Sequence, residues 1–93
     1  MDCRVIWSKG VGKQLDRIPA YIRDKFMAWA LVVERVGMTE VRKLSGYHDE
    51  PLKGERKGQR SVRLNRAYRA IYIEYGKGQI QIIEIIEVSK HEY

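Results

Sequence analysis

Apolar and polar positions along the chain follow one period up to about residue 44 and another after Gly58. Cys3 to Trp7 is a short run of β-branched and aromatic character that predicts a first strand. Ser8 offers a cap for a short helix through Lys13, Leu15 and Ile18, with Gly10 and Gly12 weakening its start. Pro19 suits the first turn of a second helix. That helix carries an apolar stripe at Ile22, Phe26, Trp29, Val33 and Val36, with Arg23, Asp24, Glu34 and Arg35 off it. Gly37 is placed to end it, and Thr39 to Leu44 can add a further turn. Ser45 to Gly58 is polar, contains glycine and is interrupted by Pro51, so it reads as a loop.

Beyond Gly58 the alternation is that of strands. Arg60 to Asn65 places Val62 and Leu64 on one side and Arg63 and Asn65 on the other. Tyr68 to Tyr75 puts Ile71, Ile73 and Tyr75 on one face, with Tyr72 and Glu74 on the other. Gly76-Lys77-Gly78 marks a hairpin, and Ile80 to Val88 is nearly continuous in apolar residues, as suits a covered central strand. Both connections between these strands are too short for crossovers, so antiparallel pairing follows. The order predicts a single α+β domain over residues 1–93. Its small, antiparallel-rich sheet has one N-terminal and three C-terminal strands, with two N-terminal helices packed on one face.

Composition narrows the class. Ninety-three residues allow one thin core, and 44 % hydrophobic with 32 % charged residues exclude a disordered or fibrous chain. No apolar run is long enough for a membrane helix, and Met1-Asp2-Cys3-Arg4 does not open a signal peptide, so no membrane partner is expected. Cys3 is the single cysteine and cannot form an internal disulfide, which points to the cytoplasm. Two histidines and that cysteine, far apart in the chain, make no case for a metal site, and no cofactor motif is present.

The net charge is +6, and its location matters more than its size. Residues 42–69 hold nine bases against three acids, while the segments on either side nearly cancel. Such a concentration marks an anionic ligand. Arg63 projects from the third-quarter strand away from the core, and Arg66 and Arg69 bracket the following turn. Lys53, Arg56 and Lys57 come from the preceding loop, which can fold over the same face. The chain closes on Lys90-His91-Glu92-Tyr93, just past the last strand. Guanidinium groups for phosphate, an aromatic ring for base stacking and an imidazole that titrates near neutrality together suit RNA. The same groups can cleave it: attack by the ribose 2′-hydroxyl needs a base, an acid for the departing 5′-oxygen and cations for the phosphorane. His91 is the candidate for the proton tasks, whereas His48, beside Asp49 and Glu50, reads as a solvated loop residue.

Pro51-Leu52-Lys53-Gly54-Glu55-Arg56-Lys57-Gly58, followed by Ser61-Val62-Arg63-Leu64-Asn65-Arg66-Ala67-Tyr68-Arg69, resembles the HigB-like branch of the RelE/ParE toxin superfamily. The resemblance is specific over residues 51–69 and 88–93, and elsewhere lies in layout. It implies a RelE-like fold and a type II toxin–antitoxin partnership. It also implies a metal-independent mRNA endoribonuclease that works in the A site of the 30S ribosomal subunit, against 16S rRNA, and leaves a 2′,3′-cyclic phosphate. By position, Arg69 matches the arginine facing the scissile phosphate, and His91 and Tyr93 match tail residues for proton transfer and base orientation. Lys53, Arg56 and Lys57 match the RNA-engaging loop, and Arg63 and Arg66 lie in the motif strand. The tail order here differs from the acidic-Tyr-His order of HigB relatives, which leaves the proton carrier open among His91, Glu92 and Tyr93. Two other readings fit a basic fold of this kind: a ParE-like gyrase inhibitor and a non-catalytic RNA-binding module.

Overall fold

The computed structural model describes residues 2–90. Strand β1 (Asp2–Trp7) leads through Ser8 into helix α1 (Lys9–Arg17). The Ser8 hydroxyl accepts from the Val11 amide at 3.2 Å, satisfying one of the free donors at the helix start. Pro19 then caps helix α2 (Ala20–Val36) from just outside it rather than from its first turn. Gly37, at φ +88°, stops α2 and turns the chain into the one-turn helix α3 (Met38–Val41). The segment expected as loop contains two 3₁₀ turns, Ser45–Tyr47 and Gly54–Arg56, and between them a two-residue strand, β2 (Glu50–Pro51). Strands β3 (Gln59–Arg63), β4 (Tyr68–Lys77) and β5 (Ile80–Lys90) complete the chain.

The sheet therefore has five strands, one more than the alternation indicates, in the order β1-β5-β4-β3-β2. Strand β2 escapes sequence reading because two residues show no period, and Pro51 sits acceptably on an edge. The last three strands pair antiparallel as expected, while β1 lies parallel to β5, which requires the α1–α2 crossover between them.

The α+β expectation holds, with the helices on one side of the sheet. The stripe of α2 buries Ile22, Phe26, Trp29 and Val33, and Ala30 joins them. Val36, predicted on that stripe, is 54 % exposed, at the last residue of the helix. An aromatic series crosses the core: Trp7 meets Phe26 edge-on at 5.4 Å, Phe26 lies 5.9 Å from Trp29, and Trp29 lies 5.9 Å from Tyr72.

A bulge in β5 decides what the sheet's other face carries. Ile71 pairs with Glu87 but Tyr72 pairs with Ile85, so Ile86 is an extra residue. The extra residue inverts the alternation. Ile83, Ile85 and Val88 all reach the core, while Glu84 and Glu87, three positions apart, fall on the open face.

Candidate functional site

The end of β3 and the start of β4 form the base of a concavity of about 100 Å³. It is lined by His48, Glu50, Ser61, Arg63, Asn65, Arg66 and Arg69. Local structure explains each placement. Val62 turns into the core, so its neighbours Ser61 and Arg63 face the opposite way. Asn65 shapes the turn that follows: its Oδ1 accepts from the amides of Ala67 and Tyr68, each at 2.8 Å. The turn sets Arg66 at the rim and returns the chain so that Arg69 stands directly across from Arg63.

That register opposes two cations on neighbouring strands, an unfavourable arrangement unless something anionic relieves it. Neither guanidinium has an ion-pair or hydrogen-bond partner among the described residues, and Arg69 Nε is buried with none. Two carboxylates lie one row along the sheet, Glu50 on β2 and Glu87 on β5, and Glu87 is already engaged. It accepts from Arg56 at 2.6 Å and from Ser89 at 2.7 Å. Burial works against its charge, yet these hydrogen bonds outweigh it and hold the carboxyl below the usual range, with the charge of Arg69 adding to the effect.

Several other arginines are used structurally. Arg60 gives its Nε to Asp49 Oδ1 at 2.6 Å, and Tyr72 donates its hydroxyl to Asp49 Oδ2 at 2.5 Å. Arg42 bonds Tyr72 and Glu74 and approaches Asp49 at 3.7 Å. The side chain of Asp49 is 1 % exposed, so this network sits at the rim of the core. Burial, and then the bond to Asp49, push the Tyr72 hydroxyl far above its ordinary value, so it stays a donor. Burial likewise raises the Cys3 thiol, against a hydrogen bond involving the Met38 backbone.

The predicted site residues divide accordingly. Arg63, Arg66 and Arg69 come together in the concavity. Arg56 does not line it: its guanidinium is held between Gln59 and Glu87. Lys53 and Lys57 are exposed on either side of the Gly54–Arg56 turn, outside the lining. Lys90 pairs with Tyr68, one position beyond the Ser89–Arg69 pair, and by alternation belongs to the helix side of the sheet. His91 and Tyr93 lie outside the described residues. Sequence reading missed His48, Glu50 and Ser61 as lining residues, and Asn65 as the residue that shapes the turn. No period in the sequence marks His48 and Glu50, since His48 is left-handed and the strand begins only at Glu50.

No protein-family model matches the chain, and no curated protein matches it in sequence. Solved structures do. A YoeB/ParE toxin from Agrobacterium tumefaciens superimposes with a TM-score of 0.74 at 23 % identity, over 96 % of this chain and 99 % of that one. The chain has the RelE/ParE toxin fold. A second match with this fold is from an archaeal RelE–RelB complex of Pyrococcus horikoshii, at TM-score 0.68, 24 % identity and 97 % and 96 % coverage. Another comes from the toxin–antitoxin complex RelBE2 of Mycobacterium tuberculosis, at TM-score 0.68, 20 % identity and 98 % and 100 % coverage. The RelE-like architecture expected from residues 51–69 is thus the one observed, from end to end.

Proposed function

We propose that the chain is the toxin of a type II toxin–antitoxin pair and an endoribonuclease that cuts mRNA on the ribosome. The observation that carries this reading is the Arg63–Arg69 pair, set side by side in a concavity where neither guanidinium has an ion-pair partner among the described residues. A phosphodiester supplies the missing charge, and two planar guanidiniums match its oxygens in the forked geometry that phosphate recognition uses. When the ribose 2′-oxygen attacks phosphorus, charge builds on the phosphorane, and the same guanidiniums bind that state more tightly than the ground state. This chemistry asks for no metal or other cofactor. The relatives in fold that were solved as RelE–RelB and RelBE2 complexes support a cognate antitoxin here, one that presents carboxylates to the arginine pair.

Cleavage of ribosome-bound mRNA, read as 5′-hydroxyl fragments in a cell-free translation reaction, tests the reading. Arg69→Ala is expected to slow cleavage by about 10²–10³-fold, as loss of one donor to a developing oxyanion does. Its folding stability should be unchanged or slightly higher, since a like-charge pair is dissolved. Intact mRNA together with blocked DNA supercoiling by the wild-type protein would instead establish the gyrase reading.

A further inference from the structure

We infer that Gln14, a helix residue outside the concavity, is a positioning residue of this site that fixes the end of β5 beside Arg69. The inference rests on the endoribonuclease reading and extends the site to a side chain remote from the reacting atoms.

The need for such a residue comes from strands that stop at different places. Strand β1 pairs with β5 from Asp2–Ile80 to Trp7–Ile85, and the chain then leaves through Ser8 into α1. Strand β5 runs on to Lys90. Among the described residues, 86–90 therefore have a neighbouring strand on the β4 side alone. This is the part of β5 that serves the site. The bulge at Ile86 opens it, Glu87 holds Arg56, and Ser89 stands directly across from Arg69.

Helix α1 covers the side that β1 vacates. Val11, Gln14 and Ile18, three and four residues apart, share one side of the helix, and Val11 and Ile18 enter the core together with Val88. Gln14 brings a polar end to the same place, and its Oε1 accepts from the Val88 amide at 2.8 Å. Val88 is 2 % exposed, so without this acceptor its N–H would be a buried donor with no water to turn to. The side-chain carbonyl takes the place of the backbone carbonyl that a longer β1 would have supplied.

The residues on either side of Val88 carry the effect to the arginines. Ser89 donates to Glu87 Oε2 at 2.7 Å, while Arg56 holds Oε1. Glu87 also feels the charge of Arg69, whose Nε is buried without a partner. As long as the strand end stays in register, Glu87 remains with Arg56, and Arg69 is left to a phosphate. A strand end free to shift takes the carboxylate with it, and a misplacement of about 1 Å costs roughly 10²-fold in rate. The chain continues from this strand into His91 and Tyr93, the residues that the resemblance assigns to proton transfer and base orientation.

Gln14→Leu keeps much of the side chain's size and removes the acceptor. In the cell-free translation reaction, kcat for cleavage of ribosome-bound mRNA by this full-length variant should fall about 10–100-fold with KM nearly unchanged. Gln14→Glu returns an oxygen at the same reach and should bring kcat back to within about threefold of wild type. Exchange of the Val88 amide, followed by NMR, should be slow in wild type and Gln14→Glu and fast in Gln14→Leu. If Gln14→Leu does not fold, Gln14→Asn, one methylene too short to reach, takes its place with the same expectation. A Gln14→Leu kcat within about threefold of wild type would overturn the assignment and leave the endoribonuclease reading standing. A slow Gln14→Leu that Gln14→Glu does not restore would also overturn it, by tracing the loss to the shape of the helix. Free exchange of Val88 in wild type would remove the hydrogen bond and the inference with it. A wild-type protein that cuts no mRNA would remove the endoribonuclease reading itself.

Discussion

Asp49 shows how much one buried carboxylate can organise. It receives Arg60 and Tyr72 directly and faces Arg42, so three elements meet on one side chain. Replacing it with alanine leaves a guanidinium and a phenol buried without their acceptor, and breaking a buried pair from one side costs about 3–5 kcal/mol. Asp49→Ala should therefore shift the urea midpoint strongly downward with an unchanged slope. Tyr72→Phe, which removes a donor and leaves the Asp49–Arg60 bond in place, should cost about 1–3 kcal/mol. The contrast with Arg69 is instructive. Its Nε is buried yet lacks a hydrogen-bond partner among the described residues, and a residue kept in that state serves a ligand better than it serves the fold.

Among the elements, the shortest are the ones that build the site. Strand β2 has two residues, and without its pairing to Ser61 and Arg60 nothing would hold His48 and Glu50 over β3. The bulge in β5 is a single extra residue, and without it Glu87 would not share the open face with Arg56. Gly37 joins α2 to α3 with φ +88° and ψ +156°, a region glycine enters and other residues do not without strain. Added side-chain atoms meet nothing there, so the backbone term is isolated. Gly37→Ala should cost about 1–3 kcal/mol by chemical denaturation. Gly37 lines no part of the concavity, and the folded fraction should cleave mRNA at the wild-type rate.

For the whole molecule, the arginines of residues 42–69 divide into those paired with named carboxylates and those that line the concavity. Arg42, Arg56 and Arg60 pair with Glu74, Glu87 and Asp49. Arg63, Arg66 and Arg69 line the concavity. If these three meet phosphates, the logarithm of affinity for single-stranded RNA falls with the logarithm of salt at a slope of about −2. Binding should thus weaken about tenfold between roughly 50 and 150 mM salt, as read by fluorescence anisotropy. Arg63→Ala should flatten the slope by about 0.7, whereas Arg56→Ala should leave it nearly unchanged. A uniform loss across both variants would assign RNA binding to the overall charge.

The sequence by itself determined the order of the long elements, because each buries one face and writes that face into its period. The stripe from Ile22 to Val33 and the alternation through Val62 and Leu64 are of this kind. It also located the excess charge in residues 42–69, and it marked Arg63, Arg66 and Arg69, whose outward placement follows from their apolar neighbours. Only the tertiary structure decided which arginines are occupied. Arg56 and Arg69 look alike in the chain, and what separates them is Glu87, which one binds and the other only faces. It alone decided the position of His48 as well. That residue belongs to a segment with no period, and its place is set by Asp49 reaching Arg60 and Tyr72, partners 11 and 23 residues away. Periodicity records which face of an element meets the core. Which charges find each other is settled by distances that exist only after the chain has folded.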